Sequence, residues 1–352
     1  MKPRYLLFYI QCPEELAAKG NHWENGEIAA AFLAEDFSII KDLGAVFHPQ
    51  PHDDWQSHRL LAGCLWAENK DTLYFFHGGS PDRPRLLLEQ IGFSKGKVKN
   101  DDWELEWEPS QPLKFIGWDK YYGYSHEPNY PDELHHQWRD PFIVFHQGKY
   151  WMFISASAKT DSPLFKGCIG LAVADSIEGP YTALPVVAFP HFNSEEGEEG
   201  IFYECERSHV LYQGGQWHLF FCVWKRRINE RWLEKIGSEG SSISDSSLYH
   251  YVSSNIEGPY HPVKDVPIVE GSSESNLFAL NFLTSHEGKV VAYGSHTTNS
   301  GLDVSGQWQV LSENDSFQLK KASLDSGEVE ENQQFQRQGH IVWDAMLLKL
   351  PA

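Results

Sequence analysis

The sequence predicts an all-β fold, a five-bladed β-propeller built as one domain over residues 1–352. Three observations carry this. An aromatic-rich strand pattern recurs five times along the chain, its starts roughly 70 residues apart. Two of the repeats continue into near copies of each other. Convincing helical periodicity is scarce throughout.

The elements follow in order. The recurring strands are "RYLLFYI" from Arg4, "DTLYFFHGG" from Asp71, "GKYWMFISAS" from Gly148, "GGQWHLFFCV" from Gly214 and "GKVVAYGSH" from Gly288. Each opens on a turn or glycine and is rich in aromatic and β-branched residues, the composition of a strand. A further strand with its own turn follows each. The near copies are "IGLAVADSIEGPYTAL" and "LYHYVSSNIEGPYHPV", where Gly-Pro punctuates a turn. Five units of about four strands each suit a propeller, which leaves only short, protected edges. A pair of β-sandwiches with coincidental spacing is the alternative. "PEELAAKG" from Pro13 suits one or two helical turns. "HFNSEEGEEG" from His191 suits an acidic surface loop. No linker or low-complexity stretch divides the chain.

Bulk properties narrow the function. The formal net charge is -20. A field of that sign repels phosphate backbones and anionic lipid, so neither nucleic acid nor a membrane surface is an expected partner. A small neutral or cationic ligand suits it better. The five cysteines are scattered and form no C-x-x-C, which suggests neither a disulfide framework nor a zinc site. The N-terminal apolar run of six residues is too short for a signal peptide core. The expectation is a reduced, cytoplasmic protein; its oligomeric state cannot be read.

In a propeller the innermost strands begin around a central channel, and two strand starts carry unusual chemistry. In "HQWRDPFIVF", Arg139, Asp140 and Pro141 precede an apolar run. Proline is tolerated at a strand's first residues, so Asp140 falls at the channel mouth. Asp-Pro is also a common exposed turn. In "FYECERSHVLYQ", Glu204 and Glu206 lie two apart and share a face if extended. Like charges held close raise a pKa, as a general acid working at neutral pH requires. Arg207 points to the other face unless a bulge turns it back. A solvated acidic strand edge is the plainer alternative.

These stretches carry a resemblance. "WRDPFIVFHQGKYWMF" and "ECERSHVLYQGGQWHLFF" resemble signature segments of the levansucrase and inulosucrase family, glycoside hydrolase family 68. The invertase and fructanase family, glycoside hydrolase family 32, is similar but more distant. "IGLAVADSIEGPY", "LYHYVSSNIEGPY" and "LLAGCLWAENKDTLYFFHGG" are similar to further blade segments, so the likeness spans most of the chain. It implies a retaining glycosidase acting on β-fructofuranosides by double displacement, with hydrolysis, fructosyl transfer or both. It implies no cofactor and no metal, and a small carbohydrate as substrate. Asp140 would stabilise the transition state and Glu206 would be the general acid. Arg139, Glu204 and Arg207 would bind substrate. The invertase family's E-C motif points instead to Glu204 as the acid, but the distance to "GQW" matches Glu206 without a gap.

The family's nucleophile is an aspartate near the N-terminus, before a segment that "KPRYLLFYIQCP" resembles. Here that piece is absent at the start, whereas "VWDAMLLKL" at the other end looks like it. The resemblance therefore implies a circular permutation. The C-terminal strand would complete the first blade, Asp344 would be the nucleophile, and Trp343 an apolar wall of the sugar site. Asp53 or Asp54 in "HDDWQSH" is the fallback nucleophile. A Ser-Gly-Ser of the family reads Ala62-Gly63-Cys64 here, preceded by Leu61 in place of tryptophan. Trp224 stands where an arginine is expected, with Arg226 and Arg227 nearby. These departures put sucrose itself in question. An arabinosidase- or xylosidase-type propeller and a sugar-binding propeller without activity are the competing functions.

Overall fold

The structure, a computed structural model, describes residues 3–18, 22–81, 87–99, 104–127, 130–161, 164–194, 197–238, 240, 242–271, 277–284, 290–296, 302–313, 316–321 and 340–351. The fold is all-β and propeller-like. Sheet 1 runs His340–Lys349, Tyr5–Pro13, Glu27–Leu33, Ile39–Phe47. Sheet 2 runs Arg59–Ala67, Thr72–Ser80, Gln90–Lys99, Glu104–Trp107. Sheet 3 runs Trp138–His146, Lys149–Ser157, Gly167–Ala174, Tyr181–Ala188, and Phe115–Ile116 adds to its edge. Sheet 4 runs Glu206–Gln213, Gln216–Val223, Ser247–Ser253, His261–Pro262. Sheet 5 runs Leu277–Thr284, Val290–His296, Leu302–Glu313, Ser316–Lys321. Each recurring aromatic strand of the sequence is the second strand of its sheet. The C-terminal strand is the first strand of sheet 1 and pairs antiparallel with Tyr5–Pro13.

Side-chain alternation builds the interior. In Tyr5–Pro13, Tyr5, Leu7 and Tyr9 join one apolar cluster, while Leu6, Phe8 and Ile10 join another. Successive residues of a strand face opposite ways, so this strand buries both faces. The second cluster lies between sheets 1 and 2, where Phe8 meets Phe75 edge-on at 4.8 Å. Further clusters fill the gaps between sheets 2 and 3, 3 and 4, and 4 and 5. Each aliphatic or Phe side chain buried there contributes about 1.5–3 kcal/mol.

The twin "IEGPY" turns fold alike. The Tyr181 hydroxyl donates to the Ile177 carbonyl at 2.9 Å, and the Tyr260 hydroxyl to Ile256 at 3.3 Å. Gly179 and Gly258 sit at φ 79° and 75°, where a side chain is strained. "PEELAAKG" yields one helical turn, Glu14–Ala17. Two expectations are corrected. The acidic stretch from His191 is a hairpin, His191–Ser194 paired with Gly197–Gly200, pinned where Arg231 meets Glu199 at 2.7 Å. A helix that periodicity did not single out spans Glu230–Ser238, with Trp232 and Ile236 buried. Those two are four apart and therefore on one side, and the Asn229 side chain accepts the Arg231 amide at 3.0 Å, capping the start. Nine residues were too few for the pattern to stand out.

The first strand of every sheet carries a register break. Pairing skips Asp344 in sheet 1 and Ala62 in sheet 2. It breaks between Arg139 and Phe142, between Glu206 and His209, and between Phe278 and Asn281 in the others. Asp140, Arg207, Ala279 and Asp344 stand at φ 53°, 54°, 53° and 58°. Such β-bulges leave one residue out of the ladder and re-aim its side chain. Non-glycine residues held there store about 1–3 kcal/mol of strain each. Gly63 follows the sheet 2 bulge, and a Cβ on it would lie 1.9 Å from the Phe76 carbonyl oxygen. Gly63→Ala is therefore expected to cost about 3 kcal/mol or more, read as a lower urea midpoint. An unchanged midpoint would show that this approach is not needed.

Candidate active site

The bulges bring together residues from four sheets. Asp344 comes from the C-terminal strand, Asp140 from sheet 3, and Glu206 and Arg207 from sheet 4. The Arg207 Nε donates to Asp344 Oδ1 at 2.9 Å, and its backbone N–H donates to Asp140 Oδ2 at 3.0 Å. The Ser155 hydroxyl donates to the same Asp140 oxygen at 3.1 Å. Arg207 Nη1 donates to the Gly63 carbonyl of sheet 2 at 2.8 Å. Asp140 and Asp344 are each 4% exposed, so both are carboxylates of the interior.

Arg139 is the second hub. Its Nη2 donates to Glu204 Oε2 at 2.7 Å and to Glu206 Oε1 at 3.2 Å. Its Nη1 donates to Glu89 Oε2 at 2.8 Å, and its Nε lies 3.8 Å from Asp140. Glu89 also receives Arg59 at 3.0 Å and has His135 Nε2 at 3.4 Å. Glu204 also pairs with Arg227 at 2.8 Å. An alternating ladder results: Arg59, Glu89, Arg139, Glu204, Arg227. Buried charges of this kind persist only when paired and hydrogen-bonded.

The two glutamates are thereby made unequal. Burial pushes the Glu204 carboxyl up, but Arg227 and Arg139 outweigh it and hold it below the ordinary carboxylate value. Glu206 has only a share of Arg139. Burial and then the neighbouring Glu204 charge push it up to about 8. Among the described residues its Oε2 has no hydrogen-bond partner, and its side chain is 15% exposed against 6% for Glu204. Burial and the Glu204 charge thus favour the protonated form of Glu206. Burial raises Asp344 to about 6, Asp140 adding and Arg207 opposing. Glu206 is thus raised further than Asp344, so the two carboxyls lose their protons in the order Asp344 then Glu206 as pH rises.

The sequence-derived residues are mostly brought together. Asp344, Asp140, Glu206, Arg139, Glu204 and Arg207 form one connected network. Glu204 lies just ahead of its strand, which begins at Glu206, so Arg139 rather than strand geometry keeps the two glutamates on one side. The bulge re-aims Arg207. Trp343 is half-buried, beside Gly26 and 4.8 Å from the His22 ring. Asp53 lies in a turn, where its carboxylate receives the Gln56 amide at 2.7 Å; Asp54 is exposed. Cys64 packs into the apolar cluster between sheets 2 and 3, and burial pushes its thiol up to about 12. Trp224 stacks on Phe278 at 5.0 Å, and Arg227 supplies the cation beside Glu204. Sequence reasoning missed Glu89, Arg59 and Ser155. Glu89 stands alone before the strand Gln90–Lys99, and nothing near it in the chain marks it. Among the described residues no group of three or more His, Cys, Asp or Glu is arranged to hold a metal ion.

Comparison with known proteins bears on the fold. No protein-family model and no curated sequence matches the chain. Solved structures do. An inulosucrase from Halalkalicoccus jeotgali bound to kestose is 17% identical, with a TM-score of 0.65 over 93% of this chain and 86% of that one. A Bacillus subtilis levansucrase in complex with oligosaccharides is 14% identical, with a TM-score of 0.66 over 94% and 83%. A levansucrase complexed with sucrose is 14% identical, with a TM-score of 0.65 over 93% and 89%. Across most of its length the chain has the fold of these fructosyltransferases.

Proposed function

We propose that this protein is a retaining glycosidase acting on β-fructofuranosides, by hydrolysis, fructosyl transfer or both. One observation carries the reading: Asp344, Asp140 and Glu206, from three different sheets, meet in one buried network that Arg139 and Arg207 hold together. The solved structures of like fold hold kestose, oligosaccharides or sucrose, which fits a small carbohydrate substrate.

In this mechanism an Asp344 oxygen attacks the anomeric carbon. The bond to the departing oxygen breaks as Glu206 gives that oxygen its proton. Water or a sugar hydroxyl then attacks the same carbon, Glu206 takes its proton, and Asp344 is released. Asp140, held by Ser155 and the Arg207 amide, binds ring hydroxyls as positive character develops at the ring. Glu204 stays ionised and keeps the proton of Glu206 in place. Trp343 forms an apolar wall of the sugar site.

The fold reading goes further than propeller-like. We take the five sheets as the blades of a five-bladed propeller forming a single domain. The innermost strands touch in a closed cycle, sheet 1 to 2, 2 to 3, 3 to 4, 4 to 5 and 5 back to 1, which supports it. We take the chain order as a circular permutation relative to families 68 and 32, supported by the C-terminal strand lying innermost in sheet 1. A cytoplasmic location belongs to the same reading.

The test is a screen of sucrose, kestose, inulin, levan and aryl β-fructofuranosides, with products followed by proton NMR. Turnover with the β-anomer of fructose formed first is expected. Faster turnover of aryl arabinofuranosides or xylosides would replace the fructoside assignment. Binding without turnover of any sugar would leave a non-catalytic lectin-like protein.

A further inference from the structure

The likeness to family 68 assigns Arg207 to substrate. Its surroundings point elsewhere. All three guanidinium nitrogens donate to the protein: Nε to Asp344 Oδ1 at 2.9 Å, Nη1 to the Gly63 carbonyl at 2.8 Å, Nη2 to the Ala345 carbonyl at 2.9 Å. The side chain is 7% exposed. Its backbone N–H is committed as well, to Asp140. The conformation is held at φ 54° at some cost in strain. Asn281 of sheet 5 also donates to the Ala345 carbonyl, at 2.8 Å, so the backbone beside Asp344 is gripped from two sheets.

A second observation explains why an arginine is needed. Asp344 sits on a bulge and has lost its place in the ladder. Sheet 2 places no hydroxyl beside it: Ala62 has none, Gly63 offers only its backbone, and the Cys64 side chain lies in the apolar cluster between sheets 2 and 3. Among the described residues, Arg207 is the cation that meets the Asp344 carboxylate.

We infer that Arg207 is a positioning residue, which orients the Asp344 carboxylate and keeps it ionised instead of holding sugar. The inference deepens the glycosidase reading and rests on it for the role of Asp344. The planar fork suits this task, since one rigid group fixes a carboxylate and two carbonyls together. The groups that set the Asp344 charge are Arg207 and Asp140, with Cys64 facing Arg207 and Glu206 next to it in sequence.

The experiment compares Arg207→Met and Arg207→Lys with the unaltered protein. In the Met variant, kcat falls, KM stays within about threefold, and the acid limb of the pH profile moves up by about 1 to 3 pH units. The limb rises because losing a cation destabilises the ionised carboxylate. In the Lys variant, which keeps the charge but not the fork, kcat falls while the limb stays near its original position. A large rise in KM with kcat and limb unchanged would make Arg207 a substrate-binding residue and overturn the inference. A lower melting temperature with no change in the limb would make it structural only, and overturn it too. Should the Met variant not fold, the KM-against-kcat split of the Lys variant decides alone. A second readout needs no substrate. In protein labelled with [13C]aspartate, the Asp344 carboxyl, identified by its loss in Asp344→Asn, titrates higher in the Met variant. That titration separates failure of this inference from failure of the fructoside assignment, because it holds even if no fructoside is turned over.

Discussion

Under the proposed mechanism, Asp344→Asn is expected to abolish turnover while leaving the fold intact. The loss in kcat is expected to be on the order of 10⁵-fold or more, the scale on which removal of a covalent nucleophile acts. The amide keeps the size of the carboxylate and keeps an oxygen to accept from Arg207. Folding is therefore retained while nucleophilicity goes. The check is a rate measured on the best fructoside, with melting temperature and circular dichroism as controls for folding. A variant that keeps a tenth of the activity would remove Asp344 from the chemistry. The fallback is then Asp53→Asn, predicted to be silent, since the Asp53 carboxylate lies in a turn and receives the Gln56 amide.

Glu206→Gln is the second large effect. Proton donation to a poor leaving group is worth about 10²–10⁴-fold, and the glutamine cannot supply it. The loss should shrink on an aryl fructoside, whose phenolate leaves without a proton. Substrate dependence separates an acid from a group that only shapes the pocket. Equal losses on sucrose and on the aryl fructoside would argue against the acid role. Glu204→Gln, in contrast, should pull down the alkaline limb. It removes the charge that keeps the proton on Glu206, so Glu206 ionises at lower pH.

In the proposed mechanism the same two carboxyls set the pH dependence. Asp344 must be ionised, which holds above about 6. Glu206 must be protonated, which holds below about 8. Activity should therefore be bell-shaped, rising through pH 6 and falling through pH 8, with apparent values that belong to the interacting set. In Glu206→Gln the alkaline limb disappears and the acid limb stays.

The strands were legible in the chain because their cause is local. "YLLFYI" and "YWMFI" are apolar or aromatic at every position, and each became the second strand of a sheet with both faces covered. The paired "IEGPY" turns announced themselves through glycine and proline, whose backbone limits need no partner. Asp140 and Asp344 stood out because each precedes an apolar run, whereas Glu206, followed by Arg207, Ser208 and His209, stood out through Glu204 two residues before it and through the resemblance of its stretch. The helix Glu230–Ser238 was not, because two buried residues in nine make too faint a period.

What the chain alone determined, then, is most of the strands, the turns between them and a short set of candidate carboxylates. Tertiary structure decided how burial and neighbouring charge shift each of those carboxyls. Glu204 and Glu206 are nearly identical in sequence context. They part because Arg139 and Arg227, from different stretches of the chain, converge on Glu204 and leave Glu206 only a share of one cation. Arg207 turned inward only because a bulge removed it from the ladder. Glu89 acquired its place only when sheets 2 and 3 met. Pattern along a chain reports the periodicity of the backbone, whereas a pKa reports burial and charge within a few ångströms, and those neighbours are assembled by folding.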